Sequence, residues 1–425
     1  MLTLALVAAV VFATLPWWLP GRIVALRLLV FERVNGQEAI AVPGPQVPVE
    51  RFREVYSHPA ASGRSQGAVL SDLFWYWLSP GADLHQEHLE PGERYDAVAA
   101  ATRGFLAVSK TEVEQLAARC ARRAEATYRL RDLAMPIWAE FSYGLVFGTE
   151  CPPEARDLIA GNADDVVTAL KCTGLRHMDR RDRLTDYLES RLDGVRRPLP
   201  EGLTPREQAL YLQGVFFNTA VVQMAEATAH IGMVLAHRPE VQAAARTGDD
   251  RFLDQVINET FRLYPLFGVA HRITRGDMPD IPEGSVLCFS YPDFHRAGFP
   301  DPDRFDASRF EHGVRDLNHI PFGIAANRPC PAWRVAPIAL RAVFRELLRT
   351  WQLTSTARHT RSLPNRGPCL LTPAGTRPPA WRTRVMRLRD RWEDVWRSLV
   401  QLVLGGYMVW DARRQALCAR HFGDR

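Results

Sequence analysis

Apolar residues recur at spacings of three and four positions through most of this chain, which is the spacing of amphipathic helices. Three long stretches show it most clearly, at residues 94–130, 158–192 and 206–236. The alternation of apolar and polar residues that is typical of strands is rare, with residues 284–291 the clearest case and a short candidate near 369–372. The pattern therefore predicts a mainly α fold with a small β component.

The N-terminal segment has a different hydropathy and predicts an apolar helix. Residues 1–19 carry no charged side chain, and Arg22, Arg27 and Arg33 follow them. An apolar stretch of this length is just long enough to cross a bilayer, and arginines on its C-terminal side would keep the rest of the chain in the cytoplasm. We therefore expect residues 1–20 to be a transmembrane anchor, with a buried or interfacial helix as the alternative.

Prolines and a change in composition divide the remainder of the chain. Residues 21–50 are expected to be a linker that ends in the proline-rich hinge VPGPQVP at 43–49, because proline fixes its own backbone and lacks an N–H donor. Residues 51–376 are expected to form the main domain. Residues 377–425 are expected to form a basic, tryptophan-rich tail.

The tail is predicted to contain an amphipathic helix. One apolar face would carry Trp381, Val385, Leu388, Trp392, Trp396 and Leu399, and arginines would lie elsewhere on the helix. Such a helix either lies on an anionic membrane surface or packs its apolar face on the main domain, and both interpretations stay open.

The charge balance argues against a nucleic-acid partner. The 425 residues include 53 Lys and Arg and 48 Asp and Glu, for a net charge of +5, and lysine occurs only at Lys110 and Lys171. We therefore expect no nucleic acid among the partners. The seven cysteines are scattered without a CxxC pair, which favours a reducing compartment over a disulfide scaffold or a zinc ribbon.

One cysteine differs from the others because prolines flank it. In PFGIAANRPCPAWRVA, residues 321–336, Cys330 lies between Pro329 and Pro331 at the predicted start of a helix. The free N–H groups of a helix start favour a thiolate, which is a strong ligand for soft metals. Arg328 could neutralise an anionic cofactor beside it. We predict that Cys330 is a metal or cofactor ligand; a buried, inert cysteine is the alternative.

Three further segments contribute charged residues. Glu259 and Arg262, in NETFRLYP, have the i, i+3 spacing at which helical side chains pair. Arg309 ends the non-helical segment HRAGFPDPDRFDASRF and is expected to join this pair, because a buried charge cluster needs every charge satisfied. Arg272 follows YPLFGVAH in extended backbone, where it suits an anionic group of a cofactor.

In their order along the chain, these motifs resemble those of the cytochrome P450 family. The resemblance covers about residues 95–376 and implies a cytochrome P450-like heme-thiolate fold with heme b, iron protoporphyrin IX, as cofactor. It also implies a structural cluster beneath the heme, made of Glu259, Arg262 and Arg309. The cofactor contacts that it implies are Cys330 as axial iron ligand, Arg272 and Arg328 at the heme propionates, and Phe322 and Ala326 in the ligand loop.

The ligand loop departs from the family pattern. Ala326 occupies the position of the usual glycine, and one extra residue separates Phe322 from Cys330, so we expect the loop to bulge. Pro337 is expected to interrupt the following helix, because it removes one backbone hydrogen bond.

The long helix that would cross the heme departs as well. The positions of the family's usual acid and alcohol hold Val222 and Gln223, and valine cannot pass a proton. Gln223 can orient a water molecule, so we name it as a catalytic candidate. Glu226 and Thr219, which lie on either side of it, are the other two.

The favoured interpretation is a monooxygenase-type oxidoreductase that is anchored to a membrane and oxidises a lipophilic small molecule in the cytoplasm. A ferredoxin or flavoprotein reductase would supply electrons, docking on Arg328, Arg334 and Arg341. Because Val222 and Gln223 replace the usual pair, a reductant-independent isomerase or dehydratase, or a peroxide-using enzyme, is the first alternative. A non-catalytic heme-binding membrane protein is the second.

Overall fold

Helices dominate the fold, as the spacing of apolar residues predicts. The structure is a computed structural model that describes residues 2–35, 46–63, 69–86, 88–315 and 317–423. In chain order its α-helices are α1 (Leu2–Asn35), α2 (Val49–Ser57), α3 (Val69–Leu78), α4 (Glu93–Leu106), α5 (Lys110–Arg122), α6 (Leu130–Phe147), α7 (Pro153–Leu170), α8 (Met178–Glu189), α9 (Pro205–Leu212), α10 (Val221–His237), α11 (Pro239–Thr247), α12 (Asp250–Leu263), α13 (Tyr291–Phe294), α14 (Val335–Thr350), α15 (Ala380–Gln415) and α16 (Leu417–Gly423).

The described strands form two small antiparallel sheets. In the first, β1 (Val269–Ile273) pairs with β2 (Val286–Ser290), and in the second, β3 (Trp351–Thr354) pairs with β4 (Leu370–Pro373). The strands predicted near 284–291 and 369–372 are confirmed as β2 and β4. The alternation pattern missed β3, because this strand begins directly where α14 ends and no turn residue marks the change.

The core forms where α6 packs against a single long helix, made of α9, the π-helical stretch Gln213–Ala220 and α10. Thr204 and Glu207 cap its start reciprocally, and Pro205 occupies the first turn, where its missing N–H costs nothing. Its apolar window is long enough to cross a membrane, but 78% of that window is buried inside the protein. The length predicted for this helix, 206–236, is confirmed, and its apolar character reflects a place in the core.

The N-terminal helix is longer than the sequence suggested. Residues 21–35, which were expected to begin a linker, continue α1, because only Arg22 and Arg27 interrupt the apolar residues from 21 to 30. Part of the predicted hinge at 43–49 lies outside the described residues. The linker is therefore shorter than 21–50.

Most of the C-terminal tail is one helix of 36 residues, α15, and one face of this helix packs on the main domain. The Tyr128 hydroxyl donates to Asp390 Oδ1 at 2.8 Å, and Gln401 Nε2 donates to the Lys171 carbonyl at 2.8 Å. Near its end, Met408 packs with the aromatic residues of α3. The apolar face predicted from the sequence is not the face that meets the domain.

Two buried histidines make the stability of the fold dependent on pH. His295 Nε2 accepts a hydrogen bond from the Ile320 N–H at 3.0 Å, and His319 Nε2 lies 3.1 Å from Asn258 Oδ1. Burial lowers the pKa of His295 to about 4, and burial and the neighbouring His295 lower the pKa of His319 well below its usual value. Both rings are therefore neutral in the folded protein at pH 7.

We expect the free energy of unfolding to fall between pH 7.5 and pH 5. The unfolded histidines titrate near pH 6.5, so the stabilisation is fully present above that pH and is lost as the pH falls towards the folded-state pKa. Each histidine loses roughly 2 kcal/mol by pH 5. Urea unfolding at the two pH values tests this, with His319→Gln as comparison: the variant should lose less stability than the wild type, and an equal loss would contradict the prediction.

Candidate functional site

A cavity of about 210 Å³, within about 1400 Å³ of empty space that includes open solvent, lies between the long helix and the Cys330 loop. One wall carries apolar and small residues of the long helix together with Thr219 and Gln223, and the opposite wall carries Phe322, Arg328 and Cys330. Most of the exposed surface inside it is apolar. The cavity can therefore hold a large apolar group with a sulfur ligand on one side.

Backbone hydrogen bonds hold Cys330 at this wall. The Cys330 N–H donates to the Phe322 carbonyl at 2.9 Å, which closes the loop on itself. The segment Pro331–Trp333 forms a 3-10 turn, and α14 begins only at Val335. The predicted helix start at Pro331 is thus displaced along the chain, and Pro337 falls in the first turn of α14, so it removes no helical hydrogen bond. The expected interruption of this helix was wrong.

The extra residue of the loop is accommodated by a tight turn. The Asn327 N–H donates to the Ile324 carbonyl at 3.1 Å, and Ala325 and Ala326 form the exposed tip between them. This is the bulge that the sequence predicted. It places Ala326 at an exposed tip outside the cavity lining, so a contact of Ala326 with the cofactor stays a prediction.

A glycine and an asparagine fix the direction of the loop. Gly323 has a φ of +74°, and a Cβ there would lie 3.2 Å from the Tyr56 hydroxyl. Both the backbone angle and the short distance would strain any residue with a side chain at this position. The Asn327 side chain donates to the carbonyls of Tyr56, His58 and Ala61. The loop is thereby tied to the segment that follows α2.

Of the two arginines predicted at the cofactor, Arg328 lines the cavity and Arg272 is buried behind Tyr56, which lines the cavity. Arg328 lines the cavity, and its guanidinium donates to the carbonyls of Ser62 and Leu89 at 2.8 and 2.6 Å. Arg272 is fully buried and stacks over the Tyr56 ring, 4.2 Å from its centre. Its Nε has no hydrogen-bond partner among the described residues. A buried donor without a partner is costly, so an additional acceptor is expected here.

The predicted charge cluster is assembled in the structure. Glu259 pairs in bidentate fashion with Arg262, with oxygen–nitrogen distances of 2.6 and 2.8 Å, and Arg309 Nε lies 3.6 Å from Glu259 Oε1. Arg262 also donates to the carbonyls of Pro302 and Arg304. Every member has a counter-ion, so the cluster fastens α12 to the segment that leads into the ligand loop.

The three catalytic candidates on the long helix do not all face the cavity. Thr219 and Gln223 lie four residues apart on the face that lines the cavity. Glu226 instead forms buried ion pairs with Arg131 and, at 2.8 Å, with Lys171 Nζ. Burial alone would raise the pKa of Glu226, but these two cations outweigh it and hold the pKa below its usual value. A role for Glu226 in proton delivery stays a prediction, and its observed contacts are those of a structural anion.

Burial raises the pKa of four other thiols. It raises the pKa of Cys120, Cys151 and Cys369 to about 12 and that of Cys172 to about 11. A thiol that stays protonated is a poor metal ligand. Cys330, by contrast, is exposed and borders the cavity.

Several cavity residues were not recognised from the sequence. Thr102 and Leu106 of α4 line the cavity, whereas Arg103 of the same helix is exposed. The spacing of Val98, Thr102 and Phe105 could have identified the inner face of α4, since all three are buried. Tyr56, which also lines the cavity, comes from a distant segment and carries no local signal.

Comparison with known proteins agrees with this geometry. The cytochrome P450 family model matches residues 177–377. Cytochrome P450 11B1, mitochondrial, of Rattus norvegicus is 24% identical over 215 residues, which are 42% of this chain and 43% of that protein. Cytochrome P450 3A12 of Canis lupus familiaris is 30% identical over 110 residues, 24% of this chain and 22% of that protein. The chain thus matches less than half the length of these relatives.

Solved structures support the fold independently. CYP175A1 from Thermus thermophilus aligns with a TM-score of 0.61 at 18% identity, covering 84% of this chain and 96% of that one. Cytochrome P450EX alpha with myristic acid aligns with a TM-score of 0.60 at 17% identity, covering 76% of this chain and 87% of that one. At this identity the likeness establishes the architecture alone.

The residues around the cavity fit a heme. A single thiol, that of Cys330, stands at one wall, the lining is mainly apolar, and Arg328 and the unpartnered Nε of Arg272 offer positive charge to propionate groups. Within the described ranges, no group of three His, Cys, Asp or Glu side chains could hold a bare metal ion. The donor set therefore suits a cofactor that brings its own equatorial ligands, as heme does.

Neutralising Glu226 should destabilise the protein, because Glu226→Gln leaves Arg131 and Lys171 buried without their counter-ion. We expect a loss of about 3 kcal/mol in the free energy of unfolding. Urea unfolding measures it, with the exposed Glu201→Gln as control. A variant with unchanged stability but strongly reduced turnover would contradict this structural role and restore Glu226 as a proton donor.

Proposed function

We propose that this chain, which the cytochrome P450 family model matches over residues 177–377, is a heme-thiolate oxidoreductase of that family in which the sulfur of Cys330 would bind the heme iron. The observation that carries the proposal is the place of Cys330 at the wall of a large apolar cavity, opposite the long helix. Membership of the family implies a heme iron cofactor, and heme b is the form we propose.

Each side chain near the cavity has a distinct part in this proposal. The bound heme would supply the redox chemistry. Arg272 and Arg328 would hold its propionates by charge-assisted hydrogen bonds, which are the stronger kind. The Phe322 carbonyl would accept the Cys330 N–H and so orient the ligand. The Thr219 hydroxyl can donate and accept a proton, whereas the Gln223 amide can only position a water molecule.

The substrate class follows from the lining of the cavity. Phe141, Leu145, Val215, Phe216 and Leu266 contribute apolar surface on the side of the long helix. Burying such surface against an apolar ligand is favourable, so a lipophilic small molecule is the proposed substrate. Two solved relatives are in keeping with this class, one described with progesterone and one with myristic acid.

An electron donor, either a ferredoxin or a flavoprotein reductase, is the proposed protein partner. Arg334 is exposed and stacks on the exposed Trp333, and both residues follow Cys330 closely along the chain. Arg341, which the sequence also placed on the docking face, is engaged instead with Asp254 and Glu114 at 2.6 and 3.0 Å. The docking surface proposed here is therefore centred on Trp333 and Arg334.

A second candidate function follows from the long helix. Val222 is buried and Gln223 faces the cavity, so the positions of the usual acid and alcohol provide no side chain that passes a proton readily. An isomerase or dehydratase that needs no reductant, or an enzyme that uses peroxide, would require no such relay. A heme-binding protein without catalysis is the remaining alternative.

Dependence on reductant separates these functions. For an oxidoreductase fed by a partner, we expect product from a lipophilic substrate only when reductant, donor protein and dioxygen are all present. Single omissions, followed by product analysis, measure this. Conversion that continues without reductant would contradict the oxidoreductase and indicate an isomerase or dehydratase. Conversion with peroxide alone would indicate a peroxide-using enzyme.

A further inference from the structure

The N-terminal helix exposes an apolar surface on nearly all sides. In the window Thr3–Val30 only 6% of the residues are buried, and Trp17 is 63% exposed. The residues that do make contact, Pro16 and Ile23 among them, form one stripe directed at the rest of the protein. A surface of this size has to be covered by something apolar.

The partner of α1 inside the protein is the C-terminal helix α15. The rings of Phe12 and Trp392 lie 4.7 Å apart, and Arg27 Nη1 donates to Gln401 Oε1 at 2.9 Å. Further on, Val30 lies against Gly406. Residue numbers rise together along both helices, so α1 and α15 run parallel, side by side.

The outer face of α15 continues the apolar surface. Eight large apolar residues follow one another at spacings of three or four, with one wider gap, and each is at least 40% exposed: Trp381, Val385, Leu388, Trp396, Leu399, Val403, Tyr407 and Trp410. We call them the outer stripe. The opposite face of α15 is held by Tyr128 and the Lys171 carbonyl, so the outer stripe points away from the main domain.

Arginines restrict how these two helices can meet a membrane. Five exposed arginines lie between positions 382 and 391, beside the first turns of α1: Arg382, Arg384, Arg387, Arg389 and Arg391. If α1 stood upright across a bilayer, the parallel packing would carry these charges into the hydrocarbon region, where they are costly. If α1 and α15 lie in the plane of the membrane, their arginines can stay among the lipid headgroups.

We propose that α1 and the outer stripe of α15 together form one in-plane docking surface for an anionic phospholipid leaflet, with the apolar side chains in the acyl region and the arginines at the headgroups. Trp17, Trp18, Trp396 and Trp410 suit the boundary between the two regions. On this proposal the protein is bound to one leaflet, and residues 1–20 do not cross the membrane.

Vesicle flotation with the full-length protein tests the surface. We expect at least tenfold tighter binding to vesicles of phosphatidylcholine with phosphatidylserine than to phosphatidylcholine alone. The double variant Trp396→Ser with Val403→Ser should bind both kinds of vesicle more weakly. The triple variant Arg382→Gln with Arg387→Gln and Arg391→Gln should abolish the preference for the anionic vesicles. Leu175→Ser with Val314→Ser changes exposed apolar residues elsewhere and should bind as the wild type.

Outcomes of two further measurements would overturn the proposal. If α1 spans the bilayer, a protease-sensitive tag fused before Met1 will be protected in vesicles that expose the main domain, whereas the in-plane arrangement leaves it cleavable. If the Trp396 and Val403 substitutions convert a dimer to a monomer without changing vesicle binding, the outer stripe is an interface between copies of the chain. These readouts need neither heme nor turnover, so they are independent of the proposed function.

Discussion

The proposed thiolate could bind a heme iron only if the chain holds the Cys330 sulfur at the edge of the mainly apolar cavity, and several contacts of this structure hold Cys330 there. The ligand loop is closed by the hydrogen bond from the Cys330 N–H to the Phe322 carbonyl. The Asn327 side chain ties the same loop to the segment after α2. Below it, Glu259 and Arg262 fasten α12 to the chain that enters the loop. Together these contacts hold the backbone that carries Cys330.

The features that could be predicted from the sequence are those set by local spacing or by motif order. Glu259 and Arg262 pair because they lie one helical turn apart, and the extra loop residue produced the expected bulge. The position of Ala326 in solvent depends on the direction of that bulge, which spacing does not define. Pro337 proved harmless because the α-helix begins four residues later than the prolines suggested.

A single sequence says least about side chains whose partners are distant along the chain. Glu226 was named as a proton-donor candidate, and in the structure it pairs with Arg131 of α6 and Lys171 at the end of α7, so that role stays a prediction. Arg341 looked available for docking because Asp254 and Glu114 lie on other helices. Ion pairs between separate helices are decided by packing, and a single sequence carries no direct record of packing.

The two ends of the chain complete one surface, and that surface relates to the cavity. The helix α15 is anchored through Tyr128 and the Lys171 carbonyl, close to the Lys171–Glu226 ion pair of the long helix. The long helix in turn forms a wall of the cavity. A leaflet bound to α1 and α15 would therefore hold the protein in a defined orientation, which suits a substrate that dissolves in lipid.

The most direct test of the account is the absorption spectrum of the reduced protein with carbon monoxide bound. Thiolate ligation predicts a strongly red-shifted Soret band in the wild type. That band should be lost in Cys330→Ala and retained in Cys151→Ala, which changes a thiol remote from the cavity. A red-shifted band that survives in Cys330→Ala, or a heme-loaded wild type that never shows one, would contradict the assignment of Cys330 as the iron ligand.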